Sequence, residues 1–202
     1  MLEHQRSPIP SFSVPTLHTE RLTLRAVQRA DIPAVQRNFE DWSTVRFLNS
    51  AIPWPYPENG AAAWYDTMLL PGQGTTNWTW AICLKDSPDE LIGIIELIQD
   101  SRPSNRGFWL DRNHRGNNYM AEAAAVVNDY AFNVLGFDKL IFDNAVGNVP
   151  SRKVKEKTGA TFIGIVKATF VDPRITEMEH WELTKEAWQA HRSSIAPSPS
   201  QG

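Results

Sequence analysis

Cysteine is nearly absent from this chain: Cys83 is the one thiol in 202 residues. A lone thiol rules out an internal disulfide framework and a cysteine-rich zinc site, so the fold has to be held by its core, and a cytoplasmic location is expected. Long apolar runs are missing too. No stretch approaches the roughly 20 residues of a membrane-spanning helix, and the first fifteen residues, which carry Pro8, Pro10 and Pro15, offer no apolar segment for a signal peptide. Charge is close to balanced at −3, which removes any general attraction to nucleic acid or anionic lipid. Several motifs are also lacking: Gly-x-x-x-x-Gly-Lys-Ser/Thr, Gly-x-Gly-x-x-Gly, His-Glu-x-x-His and Gly-x-Ser-x-Gly. Their absence argues against P-loop nucleotide hydrolysis, dinucleotide binding, zinc peptidase chemistry and a nucleophile elbow.

What is present is an ordinary globular balance, 42% hydrophobic and 21% charged, enough for one core. The expected organisation is a flexible segment over residues 1–15, one folded domain over 16–192 and a Ser/Pro-rich disordered tail over 193–202. Alternation over residues 20–25 predicts a strand. Asp31, Ile32 and Pro33 predict a helix start, with the helix running to about Asp41, while residues 43–48 fit neither pattern. The run Ile52-Pro53-Trp54-Pro55-Tyr56-Pro57 is barred from helix and central strand by its prolines; it predicts a stiff loop, followed by a helix to Leu70. Residues 78–84 and 91–98 flank a Ser87-Pro88-Asp89 turn and predict an antiparallel hairpin. Further on, a strand is expected over 139–146, a helix from Asn148 and Pro150 to Thr158 with Gly159 as its stop, strands over 161–171 and 176–183, and a terminal helix over 185–192. Most of the eight tryptophans stand at strand or helix spacing and are expected in the core.

The rest of the chain is organised around residues 107–135. Gly107-Phe108-Trp109-Leu110 reads as a short strand, and Met120, Ala123, Ala124, Val127, Tyr130, Ala131 and Val134 recur at three- and four-residue steps, predicting a helix over 119–135 with Gly136 as its stop. The polar turn between them matters chemically. The first amides of a helix have no internal partner, and the helix dipole makes that end partly positive, so anions bind there. Gly116 permits a positive φ, Asn118 tolerates it, and successive amides can then form a nest for phosphate. Arg112, His114 and Arg115 stand at its rim.

The run Asn113-His114-Arg115-Gly116-Asn117-Asn118, between a Trp-Leu-Asp strand end and a Met-Ala-Glu-Ala helix, resembles the acyl-CoA diphosphate loop of the GNAT N-acetyltransferases. More narrowly, it resembles the branch related to the ribosomal-protein acetyltransferases RimJ and RimL. The family pattern is Gln/Arg-x-x-Gly-x-Gly/Ala; Asn113 takes its first position, Gly116 its first glycine, and Asn118 replaces the second small residue. The order of elements agrees from about Thr19 to Trp188. The resemblance implies an α/β fold with a mixed, mostly antiparallel central sheet flanked by helices. Its fourth and fifth strands, near Phe108 and Phe142, would splay apart to admit the pantetheine arm of acetyl-CoA. It implies cofactor contacts from Phe108, Trp109 and Leu110, from Asn113, His114, Arg115, Gly116, Asn117, Asn118, Tyr119 and Met120, and from Asn144. In Asn148-x-x-Ser151 it implies that Asn148 meets the cofactor arm and Ser151 protonates the departing thiolate. Trp54 and Tyr56 would form one wall of an acceptor pocket, their ordinary alternative being a packed surface loop.

Amine acetylation needs a neutral amine, an acyl donor held in line, stabilisation of the oxyanion and a proton for the thiolate, and positioning supplies most of the rate. The expected function is N-acetyl transfer from acetyl-CoA to a primary amine by direct attack, with a protein N-terminal amine as the narrower expectation. The alternatives are a small amine, such as a polyamine, amino acid or antibiotic, and a domain that binds acyl-CoA without turnover. Glu96 interrupts an apolar strand, where partial burial would raise its pKa into a useful range for a base; alternation equally allows an exposed carboxylate. Asp100, Glu177, Glu179 and His180 are the other candidates. Asn148 and Ser151 are also ordinary helix-capping residues. Arg152, Lys153, Lys155 and Lys157 make one helix basic; a solvated face is the plain reading, attraction of the cofactor's 3′-phosphate, or of RNA near a ribosomal substrate, the functional one. No metal is expected, no membrane or general nucleic-acid partner, and a homodimer stays open.

Overall fold

Leu22 and Leu24 are fully buried while Thr23 and Arg25 between and beside them are not, which is the period of a strand packed on one side. This strand, β2 (Leu22–Ala26), lies second in a five-stranded antiparallel sheet ordered β1 (Leu17–His18), β2, β3 (Asn77–Leu84), β4 (Gly93–Ile98), β5 (Arg106–Leu110). The computed structural model describes residues 13–99 and 104–195; Pro8, Pro10, Asp100 and the tail from residue 196 lie outside the described residues. A second antiparallel sheet places β8 (Glu177–Thr184) between β6 (Lys139–Ala145) and β7 (Thr161–Lys167). The helices are α1 (Ile32–Phe39), α2 (Trp42–Val45), α3 (Gly60–Trp64), α4 (Tyr119–Asn133), α5 (Val149–Lys157) and α6 (Lys185–Ile195). β1 has two residues, too few for any periodicity to reveal.

Two apolar clusters cover opposite faces of the first sheet. Trp78, Trp80, Ile95 and Leu97 meet Ala123, Ala124, Val127 and Ala131 of α4, and the cluster continues into the second sheet through Leu140, Phe142, Trp181 and Leu183. On the other face Ala81, Cys83 and Ile94 meet Val35 of α1, Ala61 of α3 and Tyr65 and Leu69 in the π turn that follows it. Small residues along α4 let that helix approach the sheet closely. Gly136, at φ +72°, ends the segment, with the Phe137 N–H donating back to the Ala131 carbonyl at 3.1 Å.

Among the described residues the two sheets are tied beside Asn105. The Asn105 N–H donates to the Ile141 carbonyl and the Ile141 N–H to Asn105 Oδ1, both at 2.8 Å. Beyond that tie β5 and β6 do not pair. In an antiparallel ladder alternate residues turn their main chain to opposite sides. The Asp111 N–H donates to the Ile92 carbonyl, in register with Gly93↔Leu110, so Gly107 and Trp109 turn their main chain to β4 and the main chain of Phe108 and Leu110 faces the gap towards β6. This parting of the fourth and fifth long strands is what the sheet contributes to the site.

Candidate active site

A cavity of about 470 Å³ opens at the parted strand ends. Phe108, Trp109 and Leu110 line it from β5, Arg115, Gly116, Asn118, Tyr119 and Met120 from the loop and first turn of α4, and Asn148, Ser151, Lys153 and Lys157 from α5 and its cap. Ser43, Thr44, Phe47 and Leu48 close it from above. That roof comes from the segment the sequence left unassigned; it is the short helix α2 and its exit, started by Asp41, whose carboxylate accepts the Ser43 N–H at 2.9 Å. The β7–β8 connection holds it down, with the Val171 N–H donating to the Leu48 carbonyl at 3.0 Å.

The loop wall is built mainly of backbone. Gly116 has φ +87° and Asn118 φ +65°, so the chain enters α4 through two left-handed residues, and its first turn, Tyr119 and Met120, lies at the cavity. No side chain caps the amides of this turn at Asn118; the Asn118 Oδ1 instead accepts from Lys157 Nζ at 2.6 Å. A Cβ placed on Gly116 would meet nothing within 4 Å, so the space above it is open to a bound group. Arg115 turns away from the nest. Its Nε donates to the Leu110 carbonyl at 3.0 Å and its Nη2 to Thr44 Oγ1 at 2.8 Å, tying strand end to roof; burial lowers its pKa, with Asp41 and Asp111 opposing that. Arg112 pairs with Asp41 at 3.8 Å and His114 with Asp111 at 3.2 Å. Neither lines the cavity, and nor do Asn113, Asn117 or Asn144.

The opposite wall is built of side chains. Asn148 caps α5 by accepting the Ser151 N–H at 3.3 Å, and Ser151 lies only 8% exposed at the cavity edge. The basic helix is not one solvated face. Arg152 pairs with Glu179, Lys153 and Lys157 line the cavity, and Lys155 is 1% exposed, with its Nζ donating to Ser151 Oγ at 2.9 Å. Ser151, Val154, Lys155 and Thr158 are all buried, at the i, i+3, i+4, i+7 spacing of one helix face. That spacing was the available signal for Lys155, and counting charges along the helix concealed it.

Glu179 is fully buried and accepts from Arg152, from Asn144 Nδ2 at 3.0 Å and from Trp181 Nε1 at 3.2 Å. Burial alone would raise its pKa, but these donors outweigh it and hold the carboxylate below its ordinary range. Such a group braces α5 against β8 and is poorly suited to accept a proton. His180 is engaged with Asp143 at 2.7 Å. Glu96 sits on β4 opposite Gly107, with its carboxylate against that glycine: a Cβ there would come within 2.5 Å of Oε1. It shares the sheet face of Ile94, away from α4 and towards the aromatic group of Phe39, Tyr56 and Trp109. Tyr56 packs on Phe39 at 5.1 Å, and burial raises its hydroxyl to about 12. Trp54 is 41% exposed and leans on Trp42 at 5.2 Å. Glu96, Trp54 and Tyr56 are not among the residues lining the cavity.

A family model described as "Acetyltransferase (GNAT) domain" matches residues 21–161, which is well over half of the chain. The chain belongs to the GNAT acetyltransferase family. As a GNAT protein it is an acetyl-CoA-dependent N-acyltransferase, and the resemblance carried by the Gly116 loop is thereby shown. The uncharacterized N-acetyltransferase p20 of Bacillus licheniformis is 28% identical over 144 residues, covering 69% of this chain and 78% of its own. Among solved structures, Mycobacterium smegmatis RimJ in complex with CoA-disulfide superposes with TM-score 0.74 at 17% identity, covering 90% of this chain and 95% of that one. Vibrio cholerae spermidine N-acetyltransferase, in complex with CoA and spermine, gives 0.67 at 19%, covering 83% and 98%. At these identities the solved structures speak for the GNAT fold. The cavity suits the donor that the family uses: open space over Gly116, uncapped amides at Asn118, two lysines on the facing helix and outward main chain on β5. Among the described residues no helix is long and apolar enough to cross a membrane, and no group of three or more His, Cys, Asp or Glu could hold a metal ion.

Proposed function

We propose that this GNAT protein acetylates a protein N-terminal amine in the cytoplasm, by direct attack of the neutral amine on acetyl-CoA, with Ser151 as general acid. The observation that carries this reading is Ser151 itself: a nearly buried hydroxyl at the cavity edge, on the helix that faces the nest at Gly116. When bound, acetyl-CoA supplies an activated thioester. Amides at the start of α4, with Lys153 and Lys157 across from them, hold its phosphates. The main-chain groups of Phe108 and Leu110 that face the gap orient the pantetheine arm and serve the oxyanion. Ser151 Oγ–H gives its proton to the departing sulfur. Glu96, on the aromatic face of β4, is the base for the amine.

The aromatic face, with Phe39, Tyr56 and Trp109 together and Trp42 and Trp54 beside them, offers apolar area for the side chains of a peptide end, and its rings would take an ammonium group of either acceptor. The likeness to RimJ points to the peptide end; the likeness to a spermidine acetyltransferase keeps a small amine as the second reading. Calorimetric titration with acetyl-CoA, beside CoA and ATP, tests the donor site, and a Kd on the order of micromolar, roughly −8 kcal/mol, is expected for the CoA compounds alone. A panel of peptide N-termini and spermine then tests the acceptor. Turnover of spermine but of no peptide would replace the first reading with the second, and tight donor binding with no CoA release across the panel would mark a binding domain.

A further inference from the structure

Lys155 is a buried cation that the proposed reaction has not used. Its Nζ donates to Ser151 Oγ at 2.9 Å from behind the cavity, and it stands 5.5 Å from the Phe108 ring. The charged groups nearest to it come from three strands. Arg106 of β5 is also buried, stacked on Phe142 at 3.8 Å and donating to Asn128 at 2.7 Å; Asp143 of β6 and Glu179 of β8 act on it from the other side, each already engaged, with His180 and Arg152 respectively. The Lys155 ammonium is directed at the hydroxyl on the cavity edge. Burial of two neighbouring cations in a core is not a route to stability.

We propose that Lys155 is a positioning residue that holds the Ser151 hydroxyl with its hydrogen towards the cavity and restores that hydrogen after each transfer. The inference rests on the reading of Ser151 as general acid. An ammonium has only donors, so its hydrogen bond occupies a lone pair of Oγ and leaves the Ser151 O–H to point elsewhere. In the step itself, the Ser151 O–H bond breaks, its electron pair stays on oxygen and the proton forms the S–H bond of CoA. One N–H bond of Lys155 then breaks, its pair stays on nitrogen and the proton re-forms the serine hydroxyl. The neutral Lys155 amine regains a proton from solvent, matching the proton that the acceptor nitrogen loses as it becomes an amide. Burial, and Arg106 after it, lowers the Lys155 pKa to about 7, where an ammonium gives up a proton readily and recovers it near neutral pH. A desolvated lysine beside a second cation is a known way to reach that range.

The test follows the lysine rather than the product. In protein carrying ¹³Cε-lysine, the Lys155 resonance is assigned by its loss in Lys155→Met and titrated with saturating CoA and with desulfo-CoA, which lacks the thiol. The expected result is a midpoint near neutral pH that rises with CoA and not with desulfo-CoA, because the thiol and Lys155 then titrate as a coupled pair and a thiolate formed across Ser151 holds Lys155 as the ammonium. In Ser151→Ala the difference between the two ligands should vanish. Equal midpoints with CoA and desulfo-CoA, or a thiol-dependent difference that persists in Ser151→Ala, overturns the relay while leaving the donor site standing. Failure of both ligands to bind by calorimetry sinks the functional reading instead.

Discussion

The two walls of the cavity do their work by opposite means. On the α4 side the groups proposed to recognise the donor are backbone amides that follow two left-handed residues, and the charged side chains of the loop are spent elsewhere: Arg115 on Leu110 and Thr44, Arg112 on Asp41, His114 on Asp111. On the α5 side the backbone is ordinary helix, and the proposed chemistry rests on buried side chains, Ser151 and Lys155, with Glu179 bracing the helix from behind. A backbone site tolerates change in its side chains and fails when φ is forced. A side-chain site fails at one atom and tolerates the rest.

Substitutions on each wall should therefore separate binding from turnover. Ser151→Ala is expected to have the largest effect, lowering kcat by about 100-fold with donor affinity unchanged; steady-state kinetics beside calorimetry reads both, and unchanged kcat would remove Ser151 from the mechanism. Gly116→Val should do the reverse. A β-branched residue resists φ +87° and would fill the space over the nest, so CoA should bind at least roughly 10-fold more weakly, which is about 1.4 kcal/mol. Unaltered affinity would mean that the loop is only a turn.

Lys155→Met sharpens the contrast through pH. The folded pKa of Lys155 is depressed to about 7 from 10.5, so between those values the unfolded chain binds the extra proton and stability rises with pH. Below pH 7 the folded protein carries the full penalty of the buried ammonium; the Met variant carries none. The variant's stability advantage should be greatest at pH 6 to 7 and shrink as pH climbs towards 10.5, by about 3–5 kcal/mol across the window. Urea denaturation of both proteins at several pH values measures it, and a pH-independent difference would place Lys155 in a solvated setting.

Glu96→Gln should lower kcat only about 10-fold, because positioning carries most of an amine acylation, and should steepen the dependence on the free-base form of the acceptor. Trp54→Ala is expected to leave CoA affinity within about 2-fold, since its exposed ring lies off the cavity and surface changes cost little. A large loss of donor binding would show that the proline loop folds over the donor.

How much could be read in advance varied along the chain for physical reasons. The loop into α4 was legible because left-handed backbone demands glycine or asparagine, and Gly116 and Asn118 stand where the geometry needs them. The hairpin of β3 and β4 was legible from its period. The roof at Ser43 to Leu48 was not, because one helical turn capped by Asp41 and clamped by Arg115 and Val171 owes its shape to partners far along the chain. Nor were the separate engagements of the four basic residues on α5.

The sequence by itself determined the order of the longer elements, the left-handed entry to α4, the cap of α5 and, through the loop motif, the GNAT family. These are local properties, written in backbone preference and hydrophobic period over a few adjacent residues. The parting of β5 from β6, the burial of Lys155 against Ser151 and the locking of Glu179 by Arg152, Asn144 and Trp181 were decided only in the tertiary structure. Each depends on which groups far apart in the chain meet out of water, and there the same charged residue becomes a solvated surface group, a brace or a proton store.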